Sequence, residues 1–531
     1  SGAGTEQITI SAATDGLTGD ADIETYVLGA ANSFTLGAAA QNVTGSSGND
    51  TISVGGLTAS GTLNGAGGTD TLIIGNGGSI ADALVSGIET LTVSSGASVT
   101  MTEAQHDAFS TINGTGTNQI TISAATDGLS GSAAIETYVL GAANSFTLGA
   151  AAQNVTGSSG NDTVNIGSLT ATGTLNAAGG TDTLEMSSGA NISGASVSSF
   201  ENLTLASGAS VTVGAFQLAQ FSGTITAAGS ETVTVNGDGD FTTLANVETF
   251  IVNDDATNAR TVTVASANTD VTATSVTDAV TFNLGSLTYT GTLTGEGTTN
   301  DTVSLGNGAS IASATLNNIE NLTLASGGSF TMNVSQVGAF TGTITAAGSE
   351  SVTVVGDGNF TTLANVETFN VDDDSTNTRS VRVADAGTSV TATSGSDAVT
   401  FDLGSLTYTG TITGEGTTGD TLSLINGANI SGGTINNVSN LTLASGASVT
   451  MTVDQLNALS GTITAAGSET ITLTATGTLT GSNLAAIETL STASGGSETI
   501  TLAGSIASGK TLVAADAGTD GFVITGSAGA Q

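Results

Sequence analysis

The sequence predicts an all-β chain: an elongated parallel β-solenoid built from long internal repeats, with short helical bumps. Three observations carry that expectation. A glycine-rich turn that delivers one aspartate into an apolar strand returns at long, fixed intervals. Between its copies the chain alternates apolar and Thr/Ser residues in runs of four to six. The alphabet, finally, is that of short strands and tight turns: 75 Gly, 4 % aromatic and 9 % charged residues, and no Trp, Pro or Cys in 531 residues. Such an alphabet fills a thin core of small β-branched side chains rather than separate globules.

The turn reads Asn64-Gly-Ala-Gly-Gly-Thr-Asp70-Thr-Leu-Ile-Ile74, and returns as Asn176–Met186, Gly295–Leu305 and Gly414–Leu424. Its aspartates, Asp70, Asp182, Asp301 and Asp420, follow one another at steps of 112, 119 and 119 along the chain. Self-similarity at a long period marks stacked repeat architectures. Gln7-Ile-Thr-Ile-Ser-Ala-Ala-Thr-Asp-Gly-Leu17 recurs without change from Gln119, and weaker copies open at Glu231, Glu350 and Glu469. The repeats are therefore 7–118, 119–230, 231–349, 350–468 and a partial 469–531, expected to form one continuous rod.

Inside each repeat, Thr232-Val-Thr-Val235, Thr281-Phe-Asn-Leu284 and Asn321-Leu-Thr-Leu324 have the period-two pattern of half-buried strands. Asp50 and Asp70 stand twenty positions apart, as do Asp162 and Asp182. Asp278 and Asp301, like Asp397 and Asp420, stand twenty-three apart. If each pair shares a corner, these steps are the length of one coil. At ~4.8 Å per coil, the whole chain would make a rod on the order of 120 Å long.

Two smaller motifs punctuate the repeats. One is apolar-Glu-(Thr/Asn)-apolar, at Glu24, Glu89, Glu136, Glu201, Glu248, Glu320, Glu367 and Glu488, with Ser439 replacing the Glu once. The other is a polar-apolar bump around Gln105, Gln217, Gln336 and Gln455, which keeps the long period. It reads as a one- or two-turn helix bulging from a corner, the only helical signal in the chain. His106, the sole histidine, stands in this bump where other repeats have Leu218, Val337 and Leu456. It reads as a local substitution at an apolar position.

Charge narrows the function. Arg260, Arg379, Arg382 and Lys510 face 45 acidic residues, a net charge of −41. That balance excludes nucleic acid or an anionic membrane surface as the main partner. It fits cations, a salty exterior, or simple solubility of a repetitive surface. No apolar run reaches the ~20 residues that span a bilayer, so membrane insertion is not expected. Without cysteine, disulfides and thiolate metal sites are both absent. The lack of proline, where about 26 would be average, leaves every backbone N–H free for sheet ladders. The chain opens at Ser1 without a signal peptide, which points to a processed piece or an export route that reads no N-terminal signal.

Calcium is the leading chemical expectation. Gly45-Ser-Ser-Gly-Asn-Asp50-Thr-Ile52 and Gly157-Ser-Ser-Gly-Asn-Asp162-Thr-Val164 resemble the RTX nonapeptide G-G-x-G-x-D-x-U-x, with Ser for the second Gly. The Asp70 series carries one further residue in its turn. Carboxylates and turn carbonyls can supply the six to eight oxygens a hard cation wants. Two carboxylates stacked at ~4.8 Å repel by roughly 0.9 kcal/mol in water, which a bound cation would reverse. The candidate ligands are Asp50, Asp70, Asp162, Asp182, Asp278, Asp301, Asp397 and Asp420. The acidic turns add Asp238, Asp254, Asp255, Asp372, Asp373 and Asp374. The alternative is that each Asp closes its turn by an Asx hydrogen bond.

Enzymatic readings fare badly, because nearly every carboxylate recurs at its repeat position whereas a catalytic pair is expected once. No nucleophile elbow, phosphate loop or zinc spacing stands out. Ice binding by outward Thr-x-Thr would need one long regular face, which bumps and charged turns interrupt. Asn42-Val-Thr, Asn154-Val-Thr, Asn202-Leu-Thr and Asn321-Leu-Thr are sequons that an Asn/Thr-rich text produces by chance.

Ser86-Gly-Ile88-Glu89-Thr-Leu-Thr-Val-Ser-Ser-Gly-Ala-Ser-Val-Thr100, the bump and the GGTDTL turns together resemble surface-layer proteins of the Caulobacter type, and equally the repeat regions of related RTX adhesins. The resemblance spans most of the chain in texture and short motifs. It implies type I secretion from a Gram-negative cell, folding outside on meeting Ca²⁺, and calcium-bridged assembly at the bacterial surface. It also implies a lipopolysaccharide-anchoring helical domain and a C-terminal secretion signal, neither of which is evident here. The expectation is an extracellular structural protein, self-assembling into a cell-surface layer or filament, with itself and cell-surface polysaccharide as partners. End-to-end joining would use the strand edges a solenoid leaves open. The alternative is the spacer or stalk of an RTX-type adhesin.

Overall fold

The computed structural model describes residues 5–237, 239–253, 259–274, 278–297, 300–372, 377–393, 397–416, 419–480, 484–503, 509–516 and 518–525, except the side chains of residues 126, 127 and 524. The chain divides into two compact units, Ser1–Ala256 and Thr257–Gln531. Each is a parallel β-solenoid with few short helices, as the alternation and the repeats predicted.

In the first unit a five-stranded sheet stacks Gln7–Ile10, Thr25–Leu28, Asn42–Thr44, Thr62–Asn64 and Leu84–Ser86. A six-stranded neighbour stacks Leu17–Thr18, Ser33–Thr35, Thr51–Gly55, Thr71–Ile74, Thr90–Val93 and Thr111–Gly114. The register explains the alternation. Phe34, Ile52, Leu72, Leu91 and Ile112 fall on one another coil after coil, and Ile52, Leu72 and Leu91 have no exposed surface. Thr51, Thr71, Thr90 and Thr111 form the matching outward row. Burying one such Leu or Ile contributes about 1.5–3 kcal/mol. Because the side-chain period is two, a one-residue slip would turn each apolar row outward, so the rows hold the register.

The second unit repeats the plan. Its outward rows include Ser329, Ser351, Thr368 and Ser389 over inward Phe330, Val352, Phe369 and Val390, all four apolar residues buried. Coil length varies more than the aspartate spacings suggested. Thr25 stacks on Asn42, a step of only seventeen positions, whereas Thr411 stacks on Thr434, a step of twenty-three. Turns absorb the difference while strand positions stay aligned.

Four α-helices occupy the bumps: α1 Glu103–Ala108 and α2 Ala215–Leu218 in the first unit, α3 Val334–Ala339 and α4 Val453–Ala458 in the second. A 3₁₀ turn at Leu484–Ala486 is a helical element the sequence pattern did not signal. The helices are tied inward rather than bulging free. Gln105 Oε1 accepts the Thr102 N–H at 2.9 Å, and its Nε2 donates to the carbonyls of Ile80 at 2.6 Å and Ala83 at 2.9 Å. Gln217, Gln336 and Gln455 make the same three contacts. A helix of four to six residues has no stability of its own. The glutamine supplies it by satisfying one N-terminal N–H and two carbonyls of the preceding coil.

Candidate functional site

The corners of the solenoid gather the carboxylates. In the first unit a column of side-chain acceptors climbs from coil to coil. Asn32 Oδ1 accepts the Thr14 N–H at 2.8 Å, Asp50 Oδ1 that of Asn32 at 2.7 Å, and Asp70 Oδ1 that of Asp50 at 2.6 Å. Glu89 Oε2 ends it on the Asp70 N–H at 2.9 Å. The next repeat copies the column: Asn144 to Asp162 at 2.8 Å, Asp162 to Asp182 at 2.6 Å, Asp182 to Glu201 at 2.9 Å. Along these two columns each amide is thus taken by the following coil's side chain.

These aspartates are not equivalent. Asp50 is filled: beyond Asn32, its Oδ2 accepts the Ser46 N–H at 2.7 Å and the Ser46 hydroxyl at 2.9 Å. Asp162 is filled the same way by Ser158. Asp70 and Asp182, 1 % and 0 % exposed, each keep one buried oxygen, Oδ2, with no donor. The cause is legible in the turn. Ala66 and Ala178 stand where Ser46 and Ser158 stand, and their N–H groups turn to Asn64 and Asn176 instead. Both alanines hold left-handed backbone, φ 69°. Burial therefore pushes the carboxyls of Asp70 and Asp182 up from the usual carboxylate value, against the pull of the N–H each accepts.

The extra turn residue expected throughout the Asp70 series exists only in its later members. Glu296 and Glu415 donate their N–H to Asp301 and Asp420 Oδ2 across five positions, against four from Ser46 to Asp50. The coil step differs too. Asp301 and Asp420 Oδ1 accept from Val280 at 2.7 Å and Val399 at 2.8 Å. Val280 and Val399 therefore occupy the place of Asp50, and Asp278 and Asp397 lie two positions off the column, half-buried. The longer of the two aspartate spacings joined side chains that do not share a corner, because the coil step here is 21.

Asp372 ends the strand Thr368–Asp372, exposed and opposite Val355. Asp238, Asp254, Asp255, Asp373 and Asp374 lie outside the described residues. Among the described residues no group of three or more His, Cys, Asp or Glu side chains is placed to hold a metal ion. For calcium, the orphan oxygens of Asp70 and Asp182 are the fitting feature of the aspartate columns, while Asp50 and Asp162 are spent on N–H and O–H donors.

The sequence missed Glu231, Glu350 and Glu469, which it used only as repeat markers. All three side chains are completely buried. Oε1 of Glu231 accepts N–H groups from Gly208 at 2.9 Å and Ala228 at 3.2 Å, closing its own turn and binding the coil before. Glu350 and Glu469 repeat both contacts. Their recurrence at the head of the ETVTV, ESVTV and ETITL copies was the available signal. His106 is buried as its apolar counterparts are, with Nε2 3.1 Å from Tyr138 Oη.

One open apolar depression in the first unit, about 460 Å³, is lined by Phe216, Leu218, Phe221, Ile225, Phe241 and Leu244, with Asp240 on its wall. It brings no acid–base pair together. No helix among the described residues is long and apolar enough to cross a membrane. A scan against protein-family models finds no match, and a search of curated proteins finds none either.

Proposed function

We propose that the chain is an extracellular structural protein that assembles into a bacterial surface layer or filament, and that it is not an enzyme. The observation that carries the reading is the use made of its carboxylates. Those of the columns are committed to corner N–H groups at one coil after another, which is work for architecture rather than turnover. An active site asks for a singular cluster in a cleft. A solenoid whose successive coils are clamped at their aspartate and glutamate corners is suited to bearing load between neighbours.

Calcium enters this reading as a stabiliser at Asp70 and Asp182, where a cation would satisfy an oxygen that burial has stripped of water. Export by a type I route and a Gram-negative surface follow from the resemblance of the turns. The spacer of an adhesin is the second reading, favoured by the same repetition, since a stalk also needs many alike coils.

Electron microscopy of the purified chain, in calcium and after chelation, tests the proposal. Ordered sheets or fibres that disperse on chelation support it in full. Order that survives chelation keeps assembly and removes calcium from it. Single particles in both conditions overturn assembly in favour of the stalk.

A further inference from the structure

Glutamates meet in pairs at corners of both units. Thr232 stacks on Thr249 in register, so Glu231 and Glu248, one residue earlier, lie on adjacent coils. The same register brings Glu350 over Glu367 and Glu469 over Glu488. Within each pair the N–H of the first donates to Oε2 of the second, at 3.2, 3.1 and 3.3 Å. In each pair the first glutamate is completely buried and its Oε2 has no donor. Two carboxylates stacked on adjacent coils repel, and a cation between them reverses that sign.

Two other corners show how the chain avoids the problem. At the equivalent corner of the second repeat the first residue is Asn118. It donates its N–H to Glu136 Oε2 at 2.8 Å and accepts from Ala97 through Oδ1, with no second charge. The hydrogen bonding of this corner therefore does not require a glutamate. At Glu469–Glu488 the chain supplies its own cation: Nζ of Lys510, the only lysine, is 3.7 Å from Glu488 Oε1. Glu231–Glu248 and Glu350–Glu367 have neither device among the contacts above.

We propose that Glu231–Glu248 and Glu350–Glu367 are each a binding site for a hard divalent cation of the Ca²⁺ type, one ion per pair. Each ion takes the orphan Oε2 and the facing carboxylate, and water completes its shell on the open side, where Glu248 is half-buried and Glu367 exposed. With so few protein oxygens, affinity falls in the range of extracellular calcium modules, about 10⁻⁴–10⁻³ M. The inference rests on the reading that the chain works outside the cell, where calcium reaches that level. It does not depend on assembly or on the aspartate columns.

The test is calcium stoichiometry of the stripped, dispersed full chain by equilibrium dialysis at pH 7.5. Glu231→Asn with Glu350→Asn copies the residue that already serves at Asn118, and circular dichroism checks that the fold is kept. Glu248→Gln with Glu367→Gln is the second variant, altering only the outer partners. Each double variant is expected to bind two ions fewer per chain than the parent. Lys510→Gln is expected to bind one more, as the third pair loses its ammonium. Unchanged stoichiometry in both folded double variants, or a parent whose pairs release a proton between pH 4 and 8 with no metal uptake, would overturn the proposal. Because the readout is made on dispersed chains, it fails or succeeds separately from the surface-layer reading.

Discussion

Tyr138 Oη accepts the Ser132 N–H at 2.8 Å and lies 3.1 Å from His106 Nε2, making a tyrosine the partner of the chain's only imidazole. The phenol proton then faces Nε2, and Nδ1 carries the ring proton toward the exposed Asp107 at 3.1 Å. Burial, more than the opposing pull of Asp107, holds the imidazole below its usual pKa of 6.5 and keeps it neutral at pH 7.

The pH dependence follows with a definite sign. The unfolded chain takes up a proton on His106 near pH 6.5, whereas the folded chain resists it until lower pH. Stability from this group is complete above 6.5 and is lost as pH falls from there through the folded pKa. The histidine resonances should titrate with a midpoint below 6.5, and His106→Leu, the residue of the equivalent position 218, should flatten that part of a melting-temperature profile.

Tyr138→Phe keeps the ring and removes the oxygen. The Ser132 N–H and His106 Nε2 both lose their partner in a buried site, so the cost expected in urea unfolding is about 1–3 kcal/mol. The same change at Tyr26, whose Oη accepts the Asp20 N–H at 2.7 Å, strands one partner and should cost less.

Asparagine substitutions at Asp50 and Asp70 should have opposite signs. Asp50→Asn turns an amide N–H₂ toward one set of donors, the Asn32 N–H or the Ser46 N–H and hydroxyl, and is expected to destabilise by about 1–3 kcal/mol. Asp70→Asn keeps the acceptor for the Asp50 N–H and removes a charge that burial disfavours. In chelator at neutral pH it should raise the melting temperature. Asp70 itself, with its folded pKa above the unfolded one, favours folding more as pH drops toward 3.8 and less as pH rises through the folded pKa.

Gln455→Leu fills the space and deletes three hydrogen bonds, stripping the Gln455 contact from the Gly433 carbonyl and the Thr452 N–H and leaving the Ile430 carbonyl only the Gly433 N–H. About 3 kcal/mol is expected. Hydrogen exchange should show loss of protection concentrated at α4 and the coil before it.

The solenoid was legible because period-two alternation and long repeats are local signals, and Leu72 or Val352 faces inward for the reason its neighbours do. The bumps were legible as helices, but not the inward reach of Gln105, since nothing in a bump says where its side chain ends. At the corners the sequence marked Asp50 and Asp70 rightly as residues of one column. It could not tell a filled carboxylate from an orphaned one, a difference made by Ser46 against Ala66 and a φ of 69°. It misplaced Asp278 and Asp397 because it took their spacing to Asp301 and Asp420 as the coil step, whereas the step is 21 and the column positions are Val280 and Val399. Glu231 escaped notice because its chemistry arises only when Glu248 arrives on the next coil.

The bonds of the Asp50–Asp70 column all point one way along the chain. The N–H of Asn32 is answered by Asp50, that of Asp50 by Asp70, and that of Asp70 by Glu89, always by a residue later in the chain. A coil at the growing tip therefore keeps a bare amide until its successor lands, and then is latched. Winding that starts from the N-terminal side closes each latch as it goes, like a ratchet. Winding from the other side presents carboxylates with nothing yet to hold. Elsewhere the bond is reversed, as where the Thr62 N–H is answered by Asn42 one coil earlier, so the one-way latch belongs to the aspartate columns.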